Sequence, residues 1–418
     1  MRIAKLPSQT IALRSTLCIL AILASLLGCQ SQAQTLTTLY SFVGSRIDGF
    51  HPSGNVSVDS EGNVYGTTQG SDGSCKRNWL NCGTIFKVTP GGTETTLHAF
   101  ATGKNAHPMS GLIADSTGDF YGTTYGTGGA TELDGTVFRL KKQKSSKAIY
   151  TFRGNRLKRG DGAHPAAGVV MDSAGNFYGT TENGGAYGYG AVYKLSTDGT
   201  ETILFSFGGY NGDGIYPASA LLIDTDGNLY GTTTEHTGLG CPCGTVFKLS
   251  PSGVETLLHT FDAVADGALP YGGLIMDSQG NLYGTTYEGG VSTACSNGCG
   301  IVYKVTPSGT ESVLHSFSGV PDGAGPFAGL VMDSHGNLFG TTMLGGSANA
   351  CPFDTGCGTV FEITAGGVES TVYNFCSLSN CADGAEPESP LTFDTQGNLY
   401  GTTTGGIADS GTVFKLRP

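Results

Sequence analysis

Short runs of alternating apolar and polar residues, each closed by Gly, Pro, Asn or Asp, follow one another along almost the whole chain. One stretch carries the pattern complete. It runs Gly273-Leu274-Ile275-Met276-Asp277, a Ser-Gln-Gly turn, Asn281-Leu282-Tyr283-Gly284-Thr285-Thr286, a loop, Gly300-Ile301-Val302-Tyr303-Lys304-Val305, a Pro-Ser-Gly turn, then Glu311 to Phe317. Segments this short, rich in β-branched and aromatic residues and bounded by turn formers, read as strands. Four strands make one unit. No segment has an apolar 3.6-residue period long enough for a helix, so the class is all-β.

Tyr-Gly-Thr-Thr, or its Phe form, recurs at Tyr65, Tyr121, Tyr178, Tyr230, Tyr283, Phe339 and Tyr400, 52 to 61 residues apart. Seven copies of one unit override the two or three domains that 418 residues would otherwise suggest. An Asp-x-x-Gly turn at Asp59, Asp115, Asp172, Asp224, Asp277, Asp333 and Asp394 joins strand one to strand two. There the acid bonds its own backbone while Gly takes the positive φ of a hairpin. Pro90-Gly91-Gly92, Asp198-Gly199, Pro251-Ser252-Gly253 and Pro307-Ser308-Gly309 do the same between strands three and four. Leu36 to Phe42 matches the fourth strand of the repeat, and Gly411 to Leu416 matches the third. Pairing them predicts a seven-bladed β-propeller of four-stranded antiparallel blades, closed by the N-terminal strand completing the last blade, with no open sheet edge.

Arg2, Lys5 and Arg14 precede an apolar run from Leu17 to Leu27 with no acid among them, the layout of a secretory leader. Two processing readings stay open. Ser31-Gln32-Ala33 suits an ordinary signal peptidase, giving a leader over 1–33 and one propeller over 34–418. Leu26-Leu27-Gly28-Cys29 resembles a lipobox, which would end the leader at 28 and place a lipid on Cys29. No later apolar stretch approaches the ~18 residues of a membrane span. The protein is therefore expected outside the cytoplasm, secreted, periplasmic or attached to the envelope. Glycine, at 68 residues, is about twice its usual share, which suits many tight turns. The formal charge of −12 argues against nucleic acid as a partner.

In such a ring the loops after strands two and four share one face, and the tight turns share the other. Length variation falls on the first face, where the loop after strand two ranges from 404–410 in the last unit to 69–82 in the first. Loops on a rigid scaffold carry function. Ten cysteines group there as Cys75 with Cys82, Cys241 with Cys243, Cys295 with Cys299, Cys351 with Cys357, and Cys376 with Cys381. In an exported chain that even count reads as disulfides stapling the loops. The one-residue gap of Cys241-Pro242-Cys243 would strain a bridge, so reduction or other partners stay open for these two.

Asp-Gly-x-x-Pro leads into strand one in six units, at Asp48, Asp161, Asp213, Asp266, Asp322 and Asp383. A carboxylate ring near the channel mouth would suit Ca²⁺, a cationic ligand or a sugar, and its plain alternative is a repeated turn. His51, His107 and His164 precede Pro in three successive units, where three imidazoles could ligate a transition metal or simply lie at the surface. His98, His259 and His315 interchange with Tyr40, Tyr150, Phe205 and Tyr373 at one strand-four position, an aromatic packing slot. The basic run Lys141, Lys142, Lys144 and Lys147 is either a dock for an anionic polymer or a solvated edge. No residue is singled out as catalytic, and no metal centre is assigned.

The string Gly-Leu-Ile-x-Asp-Ser-x-Gly-Asn-Leu-Tyr-Gly-Thr-Thr, followed by Gly-Thr-Val-Phe-Lys-Leu, resembles the GloVer tandem repeat of exported bacterial choice-of-anchor proteins over residues 36 to 418. The resemblance implies export and a propeller, and it brings no assigned activity. The Asp-x-x-Gly-Asn-Leu-aromatic segment is also similar to propeller repeats of bacterial two-component sensor ectodomains, which implies sensing. The second unit departs from the pattern, with Lys104-Asn105 in place of Asp-Gly ahead of His107-Pro108. The functional expectation is a monomeric, non-catalytic propeller that binds a glycan or an envelope or extracellular protein through its Cys-stapled loop face. Two alternatives remain: a hydrolase or lyase at the channel mouth, and a purely structural surface protein. Fold alone does not choose among them, but catalysis would break the repeat symmetry with titratable groups of shifted pKa.

Overall fold

Every alternating run becomes a strand because its apolar face finds a sheet to pack on. The computed structural model describes residues 34–44, 48–70, 82–100, 106–126, 134–142, 145–154, 160–210, 212–237, 243–347, 351, 356–406 and 410–418. The leader, Cys29, Cys75, Cys241 and Lys144 lie outside the described residues. Seven four-stranded antiparallel sheets follow one another, at 57–99, 113–151, 170–206, 222–260, 275–316, 331–374 and 392–417. In the first six the order across the sheet is the order along the chain. The seventh takes its outer strand from Thr35–Ser41, which lies beside Thr412–Arg417. The Phe42 N–H donates to the Gly411 carbonyl at 3.0 Å and extends that seam. The protein is thus the closed seven-bladed propeller that the strand count predicts. Helix contributes almost nothing among the described residues, and none of it is long and apolar enough to cross a membrane.

Within a blade the hairpin turn and the Tyr-Gly-Thr-Thr strand are one device. Asp277 Oδ1 accepts the N–H groups of Gln279 and Asn281 at 2.9 Å, and its Oδ2 accepts the Asn281 amide and the Tyr283 hydroxyl. Burial pushes the seven turn carboxyls up, but these hydrogen bonds outweigh it and hold all seven below the ordinary range. The Lys304 ammonium sits over the Tyr283 ring, 5.6 Å from its centroid, adding a cation–π contact. In blade 6 both partners change together, to Phe339 and Glu362, which face each other in register.

Between blades, seven clusters of buried side chains form, one at each junction. The Phe that ends strand four packs edge-on against the aromatic residue of the next blade's third strand, with centroids 5.0 to 5.3 Å apart at all seven junctions. That third-strand ring lies across the glycine of Tyr-Gly-Thr-Thr, so a Cβ on Gly66 would stand 2.5 Å from Phe86 Cζ. The motif therefore needs glycine for closeness of approach.

The first threonine of each motif closes the polar side of the junction. Thr67, Thr123, Thr180, Thr232, Thr285 and Thr341 donate to the carbonyls of Ser110, Ala167, Ser219, Pro270, Ala328 and Ser389 in the next blade, at 2.7 to 3.4 Å. Thr402 donates to Pro52 at 2.7 Å and completes the circle. The second threonine stays within its blade, as in the Thr403 to Thr412 hydroxyl pair at 2.9 Å.

A buried acceptor left without its donor costs roughly 1–3 kcal/mol. Thr402→Val should therefore lower the unfolding free energy by about that amount, and Thr285→Val by a similar amount, because the closing junction uses the same bond as the others. A urea titration of both variants measures this, and an unchanged midpoint for Thr402→Val would contradict it.

Candidate functional site

The loop leading into each blade decides what faces the axis. In six of the seven blades it starts with the repeated aspartate, whose carboxylate turns outward to the fourth strand just left behind. Asp48 accepts the Val43 N–H at 2.8 Å and the Tyr40 hydroxyl at 3.1 Å. Asp161 takes Arg153 N–H and Tyr150 in the same way, and Asp383 takes Ser377 N–H and Tyr373. In two blades a histidine replaces the tyrosine, with His259 bonded to Asp266 at 3.0 Å and His315 to Asp322 at 3.2 Å. Asp213 holds the N–H groups of Gly208 and Gly209. Its slot residue, Phe205, offers no donor, and burial pushes the Asp213 carboxyl up. The aromatic slot thus packs edge-on against the Phe two residues later and, at five positions, also ties down the loop acid.

Next comes the residue before proline. His51, His107, His164, Tyr216, Leu269 and Glu386 all adopt left-handed backbone, with φ between 52° and 58°, and Gly325 does so in blade 6. Such a φ costs a non-glycine residue of order 1–3 kcal/mol and persists only where the surroundings enforce it. Here both backbone groups are engaged: the His107 N–H donates to the Cys82 carbonyl of the preceding blade, and its own carbonyl accepts the Tyr125 N–H. The Pro ring then seats on the glycine that opens the preceding blade's third strand. This turn throws the residue after proline onto the axis.

Those residues, Ser53, Met109, Ala166, Ala218, Tyr271, Phe327 and Glu388, come one from each blade and line an axial cavity of about 420 Å³. Gln69, Glu182, Tyr216, Thr234 and Glu235 complete its wall. Tyr271 and Phe327 stack, with centroids 4.8 Å apart and planes 26° from parallel, and Tyr287 stands edge-on to Phe327 at 6.1 Å. Carboxylates share the wall with this aromatic pair. Burial first and then the neighbouring Glu386 push Glu388 up to about 7. Burial and the field of Glu288, Glu182 and Glu235 push the Tyr271 phenol up. No Lys, Arg or His is among the lining residues.

None of the six loop aspartates and none of His51, His107 and His164 lines this cavity. Two of the histidines reach it at one remove. His164 stacks on Tyr125 at 4.7 Å, whose hydroxyl donates to Glu182 at 3.0 Å, and His107 Nδ1 lies 3.1 Å from the Gln69 carbonyl. The three imidazoles do not meet: among the described residues, the groups with ligand atoms this close are His315, Asp322 and Glu369, and Cys357, Cys376 and Cys381, whose sulfurs are taken up in disulfides. Most of the residues that do line the pocket lay in positions where repeat copies differ, directly after the constant Pro and directly after Thr-Thr; Tyr216, before its Pro, and Glu235, one residue farther on, are the exceptions.

Disulfides brace the rim. Cys295–Cys299, Cys351–Cys357 and Cys376–Cys381 are bonded, and Cys82 and Cys243 are also disulfide-bonded to partners outside the described residues. The carbonyls of Cys82, Cys299 and Cys357 accept the N–H of the pre-proline residue of the next blade, so the staples fix the loops at the pocket's edge. A second depression, of about 520 Å³, lies beside the Cys295–Cys299 loop.

Fold and pocket together define a seven-bladed propeller with an asymmetric axial cavity on its loop face. The chain belongs to the Gloeobacter/Verrucomicrobia repeat family, which matches it over residues 26–159, 155–353 and 292–418. No curated protein matches its sequence. Among solved structures it is similar to virginiamycin B lyase from Staphylococcus aureus, at 17% identity and a TM-score of 0.58, over 92% of this chain and 99% of that one. It is also similar to the extracellular domain of a candidate one-component system from B. thetaiotaomicron, at 13% identity and a TM-score of 0.50, over 92% of this chain and 40% of that one. At these identities the likeness is one of fold.

A carboxyl whose folded pKa is raised favours its protonated form. Its contribution to stability is full below the ordinary value of 4.5 and is lost as pH rises through about 7. For Glu388 that loss is of order 3 kcal/mol. Glu388→Gln should remove this part of the pH dependence, gaining on the wild type in urea unfolding at pH 8 and not at pH 4.5. Parallel curves for the two proteins across that range would contradict it.

Proposed function

We propose that the protein is an exported, non-catalytic binding propeller that holds one saccharide unit of a glycan in its axial cavity. The observation that carries this reading is the stacked Tyr271–Phe327 pair and side-chain acceptors lining one cavity of about 420 Å³. Ligand pockets of small molecules span roughly 300–1,000 Å³ and combine apolar walls with a few placed polar groups. Aromatic faces suit the apolar face of a pyranose, and Gln69, Thr234 and the glutamates suit its hydroxyls. Disulfide-braced loops fit an oxidising compartment outside the cytoplasm, in keeping with the leader.

One observation favours a second reading, acid–base catalysis on the same ligand. A carboxyl titrating near 7 beside a second glutamate is the pairing a hydrolase or lyase would use.

A glycan array followed by calorimetry on the mature, oxidised protein tests both readings. The binding reading expects retained oligosaccharide without turnover, and Tyr271→Ala and Phe327→Ala each weakening binding by roughly tenfold or more, about the worth of one well-placed ring. Retention of no glycan, or turnover of a chromogenic glycoside that Glu388→Gln abolishes, would overturn it.

A further inference from the structure

Resting on the saccharide reading above, we propose that the axial cavity selects a cationic sugar, a hexosamine unit with a free protonated amine, and that Glu388 and Glu235 are the residues that select it.

The hydrogen-bonding inventory of the wall points this way. A neutral sugar hydroxyl both donates and accepts, so a site built for one supplies donors as well as acceptors. Here two of the lining side chains already direct a donor into the protein. Gln69 Nε2 donates to Ser53 Oγ at 2.6 Å, and the Thr234 hydroxyl donates to the Tyr216 carbonyl at 3.0 Å. Tyr125 and Thr404 donate to Glu182 and to the Glu386 carbonyl. What remains toward the cavity is the hydroxyls of Ser53, Tyr216 and Tyr271, which accept as well as donate, and the carboxylates of Glu182, Glu235 and Glu388, so acceptors predominate and no cationic side chain is among the lining residues. An ammonium is the complement of such a wall, since it has three donors and no acceptor.

Charge and shape agree with the inventory. Two glutamates two residues apart, Glu386 and Glu388, oppose each other's ionisation. A cation placed there relieves the repulsion and strengthens in the low dielectric of the cavity. The aromatic side also favours positive charge, because ring faces attract it. The stacked Tyr271 and Phe327 rings give the cavity an apolar ring surface that suits a pyranose better than a slender alkyl amine. Glu388 stands where the other six blades place Ser53, Met109, Ala166, Ala218, Tyr271 and Phe327, so the repeat itself does not require an acid there.

The test is calorimetry of the full mature protein with a glucosamine tetramer, its fully N-acetylated counterpart and a cello-tetraose. The expected result is at least tenfold tighter binding of the free amine than of either neutral oligomer, with the advantage shrinking in 0.5 M salt. Glu388→Gln and Glu235→Gln should each reduce that advantage several-fold. Proton release on binding near pH 7, read from the dependence of the enthalpy on buffer, should accompany the amine and vanish in Glu388→Gln. Equal binding of all three oligomers, lost in Tyr271→Ala, would overturn the amine preference and leave the saccharide reading standing. Binding of choline or spermidine without the glucosamine tetramer would overturn both, as would binding of none of these probes.

Discussion

Each blade buries a twisted sheet against its neighbour, and the backbone carbonyls at that seam must be answered from within the protein because water does not reach them. The first threonine of Tyr-Gly-Thr-Thr supplies the answer seven times, reaching across each junction to the next blade's entrance loop. The same junction is filled by an edge-on aromatic pair, and that pair demands the glycine beside the threonine. Sequence motif, blade packing and ring closure are therefore consequences of one contact. Once the loop is anchored by it, the strained residue before proline and the proline itself have a fixed place, and the residue after proline has to face the axis.

This arrangement separates what is constant from what is free to change. Loop aspartates, slot aromatics and turn aspartates all carry the ring, and their hydrogen bonds are internal. The axial positions carry no such duty. Six of them range from Ala166 to Phe327, and the seventh is Glu388, so chemistry enters where architecture leaves the side chain unspecified. Disulfides next to the rim add stiffness at the place where binding would otherwise pay for ordering a loop.

The fold was legible because it is written seven times. Period, turn residues and complementary termini each point to the same closed ring, and local strand chemistry agrees with the global topology. The pocket was less legible for the same reason. A search for repeated residues leads to Asp48 and its counterparts, which hold the loops in place, or to His51, His107 and His164, which recur in only three of the seven units. The slot residues illustrate the limit: spacing reveals that Tyr40, His259 and Tyr373 are equivalent, but not that each reaches the aspartate seven to ten residues ahead. Glu388 could have been found by asking which copy departs from its siblings beside a constant proline. Its elevated pKa could not, because that depends on burial and on Glu386 in three dimensions.

Closure of the ring underlies all of this, and it rests on a strand from one end of the chain lying beside a strand from the other. Native-state hydrogen exchange at the Phe42 amide tests it most directly. That amide bonds Gly411, as the Phe317 and Phe375 amides bond Gly300 and Gly358 within continuous blades. The account predicts the same opening free energy at all three positions. Exchange of Phe42 at the rate of an unstructured peptide, while Phe317 and Phe375 stay protected, would contradict it.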